Sequence, residues 1–143
     1  MLAKNLEETQ KIAGDFVRDL SPKGDIATVV GLYGDLGAGK TSFTQGVAKA
    51  LNISESIVSP TFIIMKFYPV SVGGFDNMIH IDAYRLDKPE ELLFLNWQEI
   101  ISNPKNLVLI EWPERVSSIM PEHIKINFSH IESDGRKIDV LTP

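Results

Sequence analysis

The sequence predicts an α/β fold: a three-layer sandwich whose mixed central sheet, with a parallel core and antiparallel hairpin additions, lies between helices. Three patterns support this prediction. Residues 27–33 form a β-branched, apolar run, and a glycine-rich segment and an amphipathic helix over 40–51 follow it. Residues 106–110 are almost purely aliphatic, as in a buried strand. Apolar and polar residues alternate on both sides of Ser133-Asp134-Gly135, which predicts a C-terminal antiparallel hairpin.

The first helix is predicted over residues 5–20. Asn5 is a candidate N-cap, and Glu8 follows it at the spacing of a capping box. The proline and glycine of segment 21–25 end this helix. Its predicted apolar stripe consists of Leu6, Ala13, Phe16, Val17 and Leu20.

The middle of the chain predicts a hairpin and an interrupted helix. Two apolar stretches, 62–70 and 77–81, are separated by a loop containing two glycines, which indicates two strands with a longer connection. Residues 89–102 predict either one broken helix or two short ones, with a possible second start at Asn96, where Glu99 follows.

Composition limits the function classes. At 143 residues, the chain (1–143) is expected to form one domain. A net charge of −5 argues against a large nucleic-acid footprint and against DNA as a partner. No run approaches the length of a membrane helix, and no signal-peptide layout is present. The absence of cysteine excludes disulfides and fits an intracellular, cytoplasmic setting.

The strongest motif is residues 34–41, Gly-Asp-Leu-Gly-Ala-Gly-Lys-Thr, a complete G-x-x-x-x-G-K-[ST] loop. Its glycines let successive backbone N–H groups point at phosphate oxygens. Lys40 can reach the β- and γ-phosphates, and the Thr41 hydroxyl can ligate Mg²⁺. The order strand, glycine loop, helix is the one that a phosphate-binding P-loop requires, because the helix N-terminus adds its positive dipole end. The motif makes the predicted sandwich P-loop NTPase-like.

Two acidic residues follow apolar runs and are candidates for the Mg²⁺ side of the site. Asp82 ends the run 78–82, and Glu111 ends the run 107–111. Carboxyl ends of parallel strands share one edge of the sheet, where ligands bind. Glu111 fits best as a Mg²⁺-side carboxylate and Asp82 as a group that orients water, but the two assignments are exchangeable. His80 alternates in register with Asp82 and is more typical of a core histidine than of a chemical group.

Three further positions have both a chemical and a structural interpretation. Thr61, in the Ser-Pro-Thr-Phe segment 59–62, can bring a hydroxyl to the γ-phosphate or the metal, or can belong to a turn that leads into a strand. Trp112 can stack on a ligand or fill the edge of the core. Arg85 offers a cation near the phosphates or a solvated surface charge.

The ordered set of motifs resembles the bacterial TsaE family, also called YjeE. The residues that carry the resemblance are Thr9, the loop 34–41, the segment 59–62, His80-Ile81-Asp82-Ala83-Tyr84-Arg85-Leu86, Leu109-Ile110-Glu111-Trp112-Pro113-Glu114 and Gly135-Arg136. The chain departs from the family pattern around Phe94-Leu95-Asn96-Trp97, where the family tends to have a Leu-Gly-Leu-like turn.

The resemblance implies an ATP- and Mg²⁺-dependent ATPase of tRNA threonylcarbamoyladenosine synthesis. It implies binding to the TsaB–TsaD pair, whose cycle ATP hydrolysis supports, and contact with tRNA only through these partners. The expected catalytic residues are Lys40, Asp82, Glu111 and Thr61. The expected nucleotide-binding residues are Thr9, Gly37, Ala38, Gly39, Lys40, Thr41, Ser42, Asp82 and Trp112. The expected metal ligands are Thr41, Glu111 and Asp82.

Two other interpretations remain open. The loop also fits a small P-loop kinase, but such kinases close an arginine-bearing lid over the phosphates, and the four arginines here are scattered with no lid-length insertion. The second interpretation is a nucleotide-gated binding module that hardly hydrolyses its nucleotide. A GTPase is disfavoured because no Asn-Lys-x-Asp tetrad occurs. We expect ATP hydrolysis to be slow alone and faster with partners, because no arginine finger is evident in the chain.

Overall fold

The structure is a computed structural model that describes residues 1–34, 39–55, 57, 64–131 and 135–143. In chain order the elements are β1 (Leu2–Ala3), α1 (Leu6–Arg18), β2 (Thr28–Tyr33), α2 (Lys40–Ala50), β3 (Met65–Pro69), β4 (Asn77–Asp82), α3 (Glu90–Leu93), α4 (Trp97–Ile101), β5 (Asn106–Glu111), a 3-10 helix (Pro113–Ile119), β6 (Ile124–His130) and β7 (Arg136–Leu141).

The described strands form one seven-stranded sheet with the order β1-β7-β6-β2-β5-β4-β3. The four central strands, β6, β2, β5 and β4, are parallel to one another. The outer strands are antiparallel: β3 pairs with β4, β7 with β6, and β1 with β7. The predicted mixed sheet with a parallel core and antiparallel additions is therefore confirmed.

Two hydrophobic clusters, one on each face of the sheet, confirm the three layers. Val30 and Leu32 of β2 belong to the cluster that contains Phe43 and Val47 of α2 and Val17 of α1. The alternate residues of β2, β5 and β4 pack with the short helices α3 and α4 and with the 3-10 helix. Because side chains alternate along a strand, the sheet has separate faces for the two helical layers.

Local sequence signals explain where α1 begins. The Asn5 side chain accepts a hydrogen bond from the Glu8 N–H at 2.9 Å, as the N-cap prediction requires.

The prediction of the apolar stripe of α1 is wrong for Leu6, which is 55% exposed. The buried face of α1 instead begins at Thr9. It packs closely on α2, where a Cβ on Gly46 would lie 2.5 Å from the Gln10 carbonyl oxygen.

The interrupted helix is two helices, α3 and α4. Asn96 lies between them in the left-handed region, with φ 63°, which a regular helix cannot include. Trp97 then begins α4 fully buried, and its indole N–H donates to the Ile119 carbonyl oxygen at 3.1 Å. Within the described residues, every helix is too short or too polar to span a bilayer.

Candidate nucleotide-binding site

The P-loop motif lies between β2 and α2, as predicted. Gly34 follows β2 with φ 146°, and a Cβ on it would lie 2.7 Å from the Phe128 carbonyl oxygen, so a larger residue does not fit there. Gly39, with φ 103°, is the N-cap of α2, and Lys40 is the first helical residue. The middle of the loop, including Gly37 and Ala38, lies outside the described residues. The described ends place a helix N-terminus at the carboxyl edge of the sheet.

Two contacts with described residues place Lys40 over this edge. Its ammonium group donates a hydrogen bond of 2.7 Å to the Gly34 carbonyl oxygen. The same Nζ lies 3.6 Å from the centroid of a Trp112 ring, a cation–π geometry. Lys40 is only 4% exposed. These contacts place the buried side chain beside the loop rather than in bulk solvent.

Asp82 and Glu111 meet at the same edge. They are opposite each other in the parallel pair of β4 and β5. Glu111 is also opposite Leu32 of β2, two residues before Gly34. By strand alternation, both carboxylates face the layer that contains α2, because Met78 lies four residues before Asp82, Leu109 lies two residues before Glu111, and both pack in that cluster. The structure thus brings both predicted acids to the sheet edge where the P-loop follows β2, with Glu111 on the adjacent strand and Asp82 one strand further away.

The two carboxylates have different environments. Glu111 is buried, and its Oε2 lies 2.6 Å from Nε2 of His80, which is fully buried. Asp82 is half-buried, and its Oδ1 accepts a hydrogen bond of 2.9 Å from the Tyr84 N–H. His80 is therefore a core histidine, as the sequence favoured, but its partner is an acidic candidate of the site.

Trp112 directly follows Glu111 and has φ 60° and ψ 47°. This left-handed conformation is uncommon for a bulky residue, and it is unfavourable before a proline. The centroid of a Trp112 ring lies 5.1 Å from the centroid of the Tyr84 ring. The Arg115 guanidinium carbon lies 5.0 Å from the same Tyr84 ring. Trp112 thus covers Lys40 with its ring, and the strained backbone makes this placement possible.

The remaining candidates lie on both helices of the α2 layer. Thr41 and Ser42 occupy the first turn of α2 and are half-buried. Thr9 is buried in α1, and its hydroxyl donates to the Asn5 carbonyl oxygen at 3.3 Å. Arg85 is exposed. Thr61 and the rest of segment 58–63 lie outside the described residues.

Arg136 is a site residue that the motif reasoning missed, because Gly135-Arg136 entered only through the resemblance. It begins β7, and its side chain lies against the start of α2: a Cβ on Gly39 would be 3.7 Å from Arg136 Cγ. One terminal nitrogen donates to the Gly135 carbonyl oxygen at 2.9 Å. Arg136 therefore lies next to the start of α2, although the two are far apart in sequence.

Tyr33, at the end of β2, is a second residue that sequence reasoning did not single out. Its hydroxyl lies 2.7 Å from Nε2 of His123, and His123 Nδ1 lies 2.8 Å from the Pro121 carbonyl oxygen. A carbonyl only accepts, so Nδ1 donates to Pro121, and the Tyr33 hydroxyl is the hydrogen-bond partner of Nε2. Burial raises the pKa of the Tyr33 phenol, and the negative charge of Glu114 raises it further. The Tyr33 phenol therefore connects the end of β2, directly before the P-loop, to His123.

Comparison with known proteins gives the family. The family model described as threonylcarbamoyl adenosine biosynthesis protein TsaE matches residues 3–138. The chain belongs to the TsaE family. The matched range contains every candidate residue from Thr9 to Arg136, so the family resemblance predicted from four motifs is confirmed over nearly the whole chain.

Individual TsaE proteins agree with this assignment. A Rickettsia felis protein named tRNA threonylcarbamoyladenosine biosynthesis protein TsaE is 35% identical over 99% of this chain and 79% of its own length. A TsaE of the same name from a Nostoc species is 38% identical over 79% of this chain and 69% of its own. The crystal structure of Bacillus subtilis YdiB superposes with a TM-score of 0.72 at 29% identity, covering 96% of this chain and 80% of that one. These likenesses support the P-loop NTPase-like α/β fold.

Proposed function

We propose that this protein is an ATP- and Mg²⁺-dependent ATPase that works in tRNA threonylcarbamoyladenosine biosynthesis. The observation that carries the proposal is the position of Lys40. It begins the P-loop helix, its ammonium group lies at the Gly34 carbonyl, and Asp82 and Glu111 end the strands at the same edge. A buried lysine at a helix N-terminus, beside two carboxylates at strand ends, favours binding of phosphate and Mg²⁺, and core packing alone does not require these residues.

Phosphate binding follows from charge and backbone geometry. The N-terminus of α2 presents unpaired N–H groups and the positive end of the helix dipole. Lys40 Nζ exchanges the Gly34 carbonyl oxygen for oxygens of the β- and γ-phosphates when nucleotide enters. Both partners are oxygen acceptors, so the ammonium group does not lose a hydrogen bond in the exchange. Arg136 adds a positive charge near Gly39.

The donor set fits Mg²⁺. Carboxylate and hydroxyl oxygens are its preferred ligands, and it is normally held by one or two protein groups together with phosphate oxygens and water. Among the described residues, no cluster of three or more His, Cys, Asp or Glu side chains forms a protein-only metal cage. Thr41 and Glu111 are the residues that would hold the ion, and Asp82 would take the place of Glu111 were the two acids to exchange roles. When bound, Mg²⁺ neutralises charge on the phosphates.

Hydrolysis needs an oriented water, and the two acids divide this work. Glu111, buried and hydrogen-bonded to His80, is the Mg²⁺-side carboxylate. Asp82, nearer to solvent, orients the attacking water. Trp112 shields the phosphates from bulk water, which strengthens the electrostatic interactions inside the site. Thr61 remains an expected contributor from outside the described residues.

The relatives' names supply the pathway. Proteins named for tRNA threonylcarbamoyladenosine biosynthesis match most of this chain, and we assign the same pathway here, with the TsaB–TsaD pair as partner in the cytoplasm and tRNA contacted through that pair. We expect a partner to complete the cationic surroundings of the γ-phosphate and to accelerate turnover, because no arginine finger is evident in the sequence.

Partner stimulation is testable by steady-state phosphate release. We expect the isolated protein to turn over slowly, and the TsaB–TsaD pair to raise its rate by about tenfold or more, because added cationic groups stabilise the transferring phosphoryl. The Lys40→Ala variant with the same pair gives the background rate. Brisk turnover alone, near 10 s⁻¹ or roughly the median for enzymes, with no stimulation would contradict the proposal. Nucleotide binding without turnover in either condition would favour the nucleotide-gated module.

A further inference from the structure

We propose that His80 is a positioning residue that fixes the Glu111 carboxylate for its role at the Mg²⁺ side of the site. The inference rests on the proposed ATPase function and deepens it, since it assigns a role to a residue that touches neither nucleotide nor metal. The observation behind it is the 2.6 Å contact between His80 Nε2 and Glu111 Oε2 inside the sheet.

The sheet register makes this contact possible. His80 of β4 is opposite Leu109 of β5, and Glu111 lies two residues further along. The two side chains are therefore diagonal neighbours on the same face, a separation that long side chains bridge in sheets. Asp82, the next residue of β4 on that face, is directly opposite Glu111 and engages the Tyr84 N–H instead. His80 thus approaches Glu111 from the interior side.

Burial makes the contact consequential. The side chain of His80 is fully buried and that of Glu111 is 6% exposed. Burying a carboxylate is unfavourable unless its oxygens have hydrogen-bond partners. Among the described residues, His80 is the hydrogen-bond partner found for the Glu111 carboxylate. This hydrogen bond engages Oε2 and leaves Oε1 available to the Mg²⁺ side of the site, so loss of His80 would allow the carboxylate to rotate.

The other ring nitrogen argues against a purely structural histidine. His80 Nδ1 is buried, and it has no hydrogen-bond partner in the described part of the chain. A buried polar atom without a partner is unfavourable, and an apolar residue would avoid that cost in a core position. The hydrogen bond to Glu111 explains why a histidine occupies this position despite that cost. Residues that orient a metal-side carboxylate commonly act in this way.

Three substitutions separate positioning from packing. His80→Leu removes the donor, His80→Gln keeps an N–H at about the reach of Nε2, and His80→Asn carries its amide too close to the backbone to reach Glu111. His130→Gln is the matched control, because His130 is an exposed histidine on β6. Each variant is measured for kcat, for KM, for the Mg²⁺ dependence of binding of a non-hydrolysable ATP analogue by calorimetry, and for Tm.

We expect His80→Leu and His80→Asn to lower kcat and to raise the Mg²⁺ concentration for half-maximal analogue binding by about tenfold or more. Analogue affinity without Mg²⁺ stays unchanged, and His80→Gln recovers most of both losses. Should His80→Leu fail to fold, the comparison of Gln with Asn decides.

The inference, but not the proposed function, would be overturned if His80→Gln and His80→Asn lost kcat and Mg²⁺ dependence equally and in proportion to their loss of Tm. Wild-type Mg²⁺ dependence in His80→Leu and His80→Asn would overturn it as well. Wild-type protein that binds no nucleotide would overturn the proposed function, and the inference with it.

Discussion

Replacing Lys40 with alanine is expected to abolish tight ATP binding. The variant loses the ammonium group that begins the P-loop helix and lies at the Gly34 carbonyl. A hydrogen bond to a charged group contributes about 1.5–3 kcal/mol, so loss of two phosphate contacts corresponds to a Kd roughly a hundredfold weaker or more. Isothermal titration calorimetry with ATP and Mg²⁺ measures this change directly.

Lys49→Ala is the matched control for this variant, because Lys49 is an exposed lysine on the same helix. Its ATP affinity is expected to equal that of the wild type. Removal of the Lys40 side chain also removes the cation from the Trp112 ring, so thermal unfolding should be compared to show that the variant is folded. A folded Lys40→Ala protein with unchanged ATP affinity would refute the phosphate-binding role.

Replacing Glu111 with glutamine is expected to leave ATP bound but to suppress hydrolysis by about a hundredfold or more, a loss typical of removing a group that acts on the reacting water or metal. Glutamine has nearly the same shape and still offers a carbonyl oxygen to His80 Nε2, so the buried contact survives while the charge is lost. Single-turnover hydrolysis and calorimetry on the same protein separate chemistry from binding.

Two further variants are controls for the hydrolysis measured with Glu111→Gln. Glu99→Gln alters an exposed glutamate on α4 and is expected to hydrolyse ATP normally. Asp82→Asn tests the other acid at the sheet edge, which the sequence alone could not distinguish from Glu111. Normal turnover in Glu111→Gln together with loss in Asp82→Asn would move the metal-side role to Asp82.

Local sequence patterns predicted much of the fold because short-range physics sets these features. The Asn5 cap, the strand before the P-loop and the break at Asn96 depend on residues within a few positions of each other. The P-loop itself was identified from eight consecutive residues. Neighbouring residues also predicted that Asp82 and Glu111 end strands, although not that these two strands are adjacent in the sheet.

Features that depend on distant pairing were not predictable from one sequence. The strand order places β5 between β2 and β4, and this order brings Glu111 beside both Leu32 and Asp82. The diagonal contact of His80 with Glu111 follows from that register. The two-residue strand β1 has no local signal, because its pairing partner, β7, lies at the other end of the chain. Periodicity also wrongly placed Leu6 in the core.

The position of Trp112 shows a different limit. Its left-handed backbone is opposed by both its side chain and the following proline. Local preferences therefore predicted neither this conformation nor the stacking of the ring against Lys40. Surrounding packing must maintain such a conformation, and strained residues of this kind concentrate at functional sites.

The central claim is that the loop before α2, with Lys40, holds the terminal phosphates of one Mg²⁺-bound ATP. Calorimetric titration of the wild-type chain with a non-hydrolysable ATP analogue, with and without Mg²⁺, tests it most directly. We predict saturable binding of one nucleotide per chain that tightens when Mg²⁺ is present. Absence of binding heat and of any thermal stabilisation at millimolar analogue with Mg²⁺ would contradict the claim.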